Sequence, residues 1–260
     1  MALDGGKQPL ARRIVALMPK HEHYCEPYFG GGAVLLAKSG EGVSEVANDL
    51  DGRVSAFWTV IAAPDLFDRF LRKCQATPFH EDLWNAAGVL EDDPDPVECA
   101  WAFFVRCRLS FAGRMEDFTA PVKTRLRRGM NDAVSGWLSA VDGLPAIHAR
   151  MMRVLWMSRP ALDVIAKMDG PGALFYLDPP YPHETRTVPG VYRHEMDDAA
   201  HARLLEQLRG LKGRAMVSGY RCPMYDAALT GWTRHEMDVA NNSASGKTKQ
   251  RRTEVLWCNF

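Results

Sequence analysis

The chain has 260 residues, 47% of them hydrophobic and 25% charged, with 32 basic and 32 acidic side chains, so its formal charge is zero. This is ordinary for a soluble globular protein, and the length suits one large domain or a domain with a sizeable insertion. No run is apolar for long enough to span a bilayer, the N-terminal stretch lacks the apolar centre of a signal peptide, and the six cysteines (Cys25, Cys74, Cys99, Cys107, Cys222, Cys258) form no C-x-x-C. These features predict a cytoplasmic protein with no zinc site and no disulfide framework.

In chain order, Pro9 to Met18 has apolar positions at helical spacing, and His23 to Pro27 reads as a short strand. That strand runs into YFGGGAVLLAK, a glycine turn and a helix-forming run. Val43 to Asp49 is a second strand with a polar end, and Arg53 to Cys74 reads as helix. The acidic Glu91 to Pro96 marks a loop or helix start, and Cys99 to Leu109 is helical again. Phe111 to Gly129 is rich in glycine, proline and basic residues. Strands follow at Val154 to Met157, Ala173 to Leu177, Ala215 to Ser218 and Glu254 to Asn259, with an amphipathic helix over Asp197 to Leu211. Strands alternating with helices predict an α/β fold with a mostly parallel sheet covered on both faces. Arg53 to Arg159 is too long for one crossover and reads as a helical insertion. Charge is uneven across it. Residues 53–100 carry four basic and nine acidic side chains, and residues 101–160 carry ten and four. The second stretch is either a solvated surface or a footprint for phosphates.

Tyr28-Phe29-Gly30-Gly31-Gly32 stands between a strand and a helix, where doubly wound sheets bind nucleotides. It is not the full G-x-G-x-x-G fingerprint, because Leu35 stands where the third glycine would be. A nucleoside cofactor is therefore favoured over a dinucleotide. Asp49 ends the next apolar run and reads in two ways, as an acceptor for ribose hydroxyls or as a helix N-cap. Downstream, the run FYL ends in Asp178-Pro179-Pro180-Tyr181. Prolines at a strand end remove donors and stiffen the loop. Asp178 and the fixed Pro179 carbonyl then offer two acceptors beside an aromatic plane, an arrangement suited to a flat base bearing an amino group. A proline-rich turn with a core tyrosine would use the same residues. The place of this motif, after a nucleoside-type turn, favours the site.

The glycine turn and DPPY, in this order, resemble the amino-methyltransferases that use S-adenosylmethionine, and among them the Dam-type DNA adenine methyltransferases of bacteria and phages. The resemblance implies a Rossmann-like sheet over 1–55 and 152–260 and an inserted, mostly helical target-recognition domain over 56–151. It implies that Asp178, Pro179, Pro180 and Tyr181 are catalytic. For the cofactor it points to Gly6, Lys7, Glu26, Tyr28, Gly30, Gly32, Asp49, Asp163, Val164 and Asp178. Ser110 to Arg125 resembles the recognition hairpin and Arg252 to Asn259 the closing strand. Arg114, Lys123, Arg125, Arg127, Arg128 and Tyr192 become candidates for double-stranded DNA, with Lys247, Lys249, Arg251 and Arg252 as a second basic cluster. No metal is implied, and a monomer is expected. The same motifs would also serve an enzyme acting on cytosine N4 or RNA adenine, or a relative that binds without catalysing.

Overall fold

The computed structural model describes residues 7–119, 125–185, 194–240 and 251–260. In chain order the elements are α1 (Ala11–Ala16), β1 (His23–Glu26), α2 (Ala33–Ala37), β2 (Ser44–Asn48), α3 (Gly52–Ala62), α4 (Pro64–Gln75), α5 (Glu81–Ala87) and α6 (Pro96–Arg108). They continue with β3 (Leu126–Arg127), β4 (Met130–Asn131), α7 (Asp132–Asp142), α8 (Leu144–Met151), β5 (Leu155–Met157), α9 (Ala161–Met168) and β6 (Ala173–Leu177). The last are α10 (Asp198–Arg209), β7 (Arg214–Gly219), α11 (Pro223–Ala228), β8 (Thr233–Ala240) and β9 (Arg251–Cys258).

Two compact units share the chain. One comprises Arg12–Phe29, Ser39–Asp51 and Leu155–Phe260, and the other Met1–Ala11, Gly30–Lys38 and Gly52–Val154. The first is built on a seven-stranded sheet in the order β5-β2-β1-β6-β7-β9-β8. Strands β5, β2, β1, β6 and β7 run parallel, while β9 and β8 are antiparallel. β6 is buried at every residue, as a strand covered on both faces must be. Cys25, Val46, Phe175, Leu177, Val217, Val255 and Trp257 from the strands pack with Val164 and Ile165 of α9, Leu204, Leu205 and Leu208 of α10 and Tyr225 of α11. Each such buried side chain contributes about 1.5–3 kcal/mol before chain entropy is charged against it. The architecture is the Rossmann-like sheet, flanked by helices, that the sequence predicts.

The second unit is helical and organised on an aromatic cluster. Phe57 lies within 5.8 Å, centroid to centroid, of Phe70, Phe103 and Phe104, and Trp58 meets it edge-on at 5.0 Å. Trp137 joins at 5.4 Å from Phe104 and donates its indole N–H to Thr77 O. Helix α6 runs through this cluster and is buried on nearly all sides. Its start is fixed by Asp95, which caps Val97 N at 2.8 Å, and by Pro96 in the first turn. The helix expected over 53–74 is in fact two. Ala63, held extended (φ −93°, ψ 116°) by the following proline, breaks it into α3 and α4. The helical unit takes in Gly30–Lys38 and the N-terminal Met1–Ala11 as well as the inserted stretch.

Candidate active site

The five parallel strands deliver their carboxyl ends to one edge of the sheet, and predicted site residues follow the ends of β1, β2 and β6 there. β1 ends in Glu26, only 2% exposed. Tyr24, two residues earlier and so on the same face, donates its hydroxyl to Glu26 Oε1 at 2.7 Å. Burial, and then the neighbouring Glu26 carboxylate, raise the Tyr24 phenol well above its ordinary pKa. A strand-end acid in this setting suits an ammonium group. Asn48, at the end of β2, is a brace. Its Nδ2 donates to the carbonyls of Pro27 and Arg159 at 2.9 and 3.0 Å, and its Oδ1 accepts from Arg159 N. That ties the ends of β1 and β2 to the loop after β5. Asp49 follows, half-exposed, with Oδ1 accepting from Asp51 N at 2.9 Å in the turn that leads to α3.

At the end of β6, Asp178 is half-buried and Tyr181 9% exposed. The Tyr181 hydroxyl lies 3.3 Å from Asp178 Oδ1 and 3.4 Å from Glu254 Oε1, and its ring meets Tyr220 edge-on at 4.9 Å. Glu254 and Tyr220 were not among the residues singled out from sequence. Glu254 reaches this edge because β9 pairs Val255 with Gly219, the last residue of β7. Its signal was legible, since it is the one acid in the apolar run EVLWC. A polar cavity of about 450 Å³ opens beside Tyr220, lined also by Thr185, Arg221, Glu236 and Thr253.

The remaining sheet-side candidates differ in exposure. Asp163 is exposed in the first turn of α9, whereas Val164 is fully buried in the core, which leaves its side chain to packing. Tyr28 is half-buried against the same core, and burial raises its phenol pKa.

In the helical unit, Gly30 (φ 49°) and Gly32 (φ 64°) take left-handed conformations, which explains why this turn is written in glycine. A Cβ on Gly30 would meet nothing within 4 Å, so the backbone there is open to a ligand's approach. Trp58 Nε1 holds the turn by donating to Gly30 O at 2.9 Å. Lys7 is 5% exposed, and its carbonyl accepts from Leu10 and Ala11 N–H. The positive-φ turn and the buried strand-end acid both fit a methyl donor of the nucleoside type. Among the described residues no group of His, Cys, Asp and Glu is arranged to hold a metal ion.

The basic candidates Arg114, Arg125, Arg127 and Arg128 lie in the helical unit too. Ser110 bridges antiparallel to Phe118, and Arg114 lies over the Phe111 ring at 5.9 Å. A short hairpin, β3–β4, follows this stretch; its two-residue turn is Arg128-Gly129, both at positive φ (56° and 75°). Arg125 is paired with Asp132 at 3.1 Å, and Arg128 donates to Ser139 Oγ at 3.0 Å. Gly6, Lys123, Tyr192, Lys247 and Lys249 lie outside the described residues, as do the side chains of Arg251 and Arg252. No described helix is long and apolar enough to cross a membrane.

No curated protein matches the chain. The DPPY turn lies downstream of the part that a family model recognises, while the glycine turn, Asn48-Asp49 and the helices through α6 lie within it. Residues 4–113 match the family model of the D12 class N6 adenine-specific DNA methyltransferases, so this part of the chain is similar to that class.

Proposed function

We propose that the protein transfers a methyl group from S-adenosylmethionine to N6 of an adenine flipped out of double-stranded DNA in the cytoplasm, with Asp178 and Tyr181 at the reacting amine. The observation that carries this reading is the DPPY turn at the carboxyl edge of β6, where the Tyr181 hydroxyl stands 3.3 Å from Asp178 Oδ1. S-adenosylmethionine supplies the methyl as an electrophilic carbon on a sulfonium. Asp178 and the Pro179 carbonyl accept hydrogen bonds from the amine, whose lone pair is otherwise delocalised into the ring. They draw the nitrogen toward a tetrahedral shape. As the N–C bond forms and the C–S bond breaks, the electron pair stays on sulfur and the surplus amine proton leaves through Asp178. Positioning and electrostatics carry such a direct transfer. The amine is out of reach inside a duplex, so the base must leave the stack.

In the sheet unit, Glu26 is the candidate for the amino end of the donor and Asp49 for its ribose, with Tyr28 and Asp163 as further candidates. In the helical unit, the candidates for the donor are the Gly30–Gly32 turn and Lys7. The helical unit reads the target, with Arg114 at a base edge and Arg125, Arg127 and Arg128 on phosphates. Mass spectrometry of nucleosides from treated duplex DNA and RNA tests the reaction. N6-methyladenine from DNA alone, absent with Asp178→Ala, is the expected result. Methylated cytosine or methylated RNA would overturn it.

A further inference from the structure

The helical unit contains a cavity of about 330 Å³ that takes no part in the chemistry of methyl transfer proposed above. Phe57 and Trp58 of α3, Phe104 and Arg108 of α6, Ser139 of α7 and Arg127 of the hairpin contribute to its wall. Arg108 is the unusual member. Its Nη2 donates to Gly136 O at 3.2 Å, while its Nε is shut off from water and meets no acceptor among the described residues. No carboxylate among the described residues pairs with it, and burial makes the guanidinium easier to deprotonate than usual. Arg106, on another side of the same helix, shows the contrast. It pairs with Glu91, donates to Met115 O and lies 3.6 Å over the Trp84 ring.

Removing a guanidinium from water without an acid beside it is unfavourable, and such a group in a cavity wall calls for an anion. The planar fork of Arg108 matches phosphate oxygens. Arg127, exposed and in no ion pair among the described residues, supplies a second cation to the same wall. The Ser139 hydroxyl is already fixed, donating to Ser135 O and accepting from Arg128. The cavity is at the lower end of the size range for ligand pockets, larger than a phosphate needs by itself, and its aromatic wall suits an attached sugar or base.

We propose that this cavity binds a phosphate group, on a DNA backbone or on a free nucleotide, with Arg108 as its fork and Arg127 as its second cation. The DNA source rests on the methyltransferase reading, whereas the free-nucleotide source does not. The test compares the full-length protein with Arg108→Met, which keeps the apolar stem and loses the charge. One arm follows duplex DNA binding against salt concentration, and the other titrates deoxyadenosine 5′-monophosphate against deoxyadenosine by calorimetry. A log–log salt slope shallower by about one in Arg108→Met assigns the site to the DNA backbone. Binding of the monophosphate but not the nucleoside, lost in the variant, assigns it to a free nucleotide. Arg108→Lys should keep part of either effect. The melting temperature of Arg108→Met should be unchanged or higher, because a half-buried charge with no acid beside it among the described residues is gone. A marked fall in melting temperature with both ligand arms unchanged would show a structural arginine and overturn the site, as would unchanged arms alone. A wild-type protein that binds no duplex would overturn the methyltransferase reading, and the nucleotide arm would still decide the cavity.

Discussion

The Tyr181 hydroxyl has one proton and two carboxylates within reach, Asp178 at 3.3 Å and Glu254 at 3.4 Å. It donates to one at a time, so a donor group engaging Asp178 would leave Glu254 as the hydroxyl's acceptor. Removing the hydroxyl loses a hydrogen bond worth about 1 kcal/mol, whereas removing the ring loses stacking worth about 1–3 kcal/mol. Steady-state kinetics should therefore give a mild loss for Tyr181→Phe and Glu254→Gln and a severe one for Tyr181→Ala. Equal rates for the Phe and Ala variants would show that the ring does not stack. Asp178→Asn keeps one acceptor oxygen but loses the charge and should lower kcat by about 10²-fold or more, with circular dichroism unchanged. Asp178 and Tyr181 stood out in the sequence because two prolines follow directly on an apolar strand run, and the structure places both at the end of β6. The Tyr220 contact did not, since an aromatic after Gly219 signals nothing until β7 is placed beside β6.

Among the elements, the short hairpin carries a structural compromise. A type I′ turn favours Asn-Gly, yet Arg128 occupies the first position at φ 56°. A left-handed non-glycine residue costs about 1–2 kcal/mol, which points to a role for the arginine beyond the turn. Arg128→Asn should raise the melting temperature slightly and at the same time weaken DNA binding on every sequence, with a shallower salt slope. If DNA affinity stayed at the wild-type value, Arg128 would have no phosphate to hold. The same local logic explains which elements the sequence disclosed. Parallel strands such as Ala173–Leu177 are apolar throughout and stand out. β8, with Thr233, Arg234, Glu236 and Asp238 exposed and Met237 buried, is an edge strand whose charges mask its period. The break between α3 and α4 was written in Pro64, but the apolar spacing on either side suggested one continuous helix.

For the molecule as a whole, burial raises the pKa of Tyr24, Tyr28 and Tyr225, and that of the Cys258 thiol to about 12. Groups whose folded pKa lies above the unfolded one contribute stability that is fully present below the unfolded value and lost as pH rises toward the folded one. Denaturant midpoints should stay level through neutral pH and fall above about pH 10, where unfolded tyrosines ionise. A midpoint unchanged at pH 11 would mean that these phenols are not buried in solution. The interleaving of the two units has a further consequence for how the protein is made. The chain passes between them five times, and the last passage, at Val154–Leu155, completes the helical unit while the sheet has only β1 and β2. A ribosome therefore finishes the helical unit first. During that interval β1 lacks the neighbour that β6 later provides, so an apolar strand edge stays open on the nascent chain and depends on continued translation, or on a chaperone, to be closed.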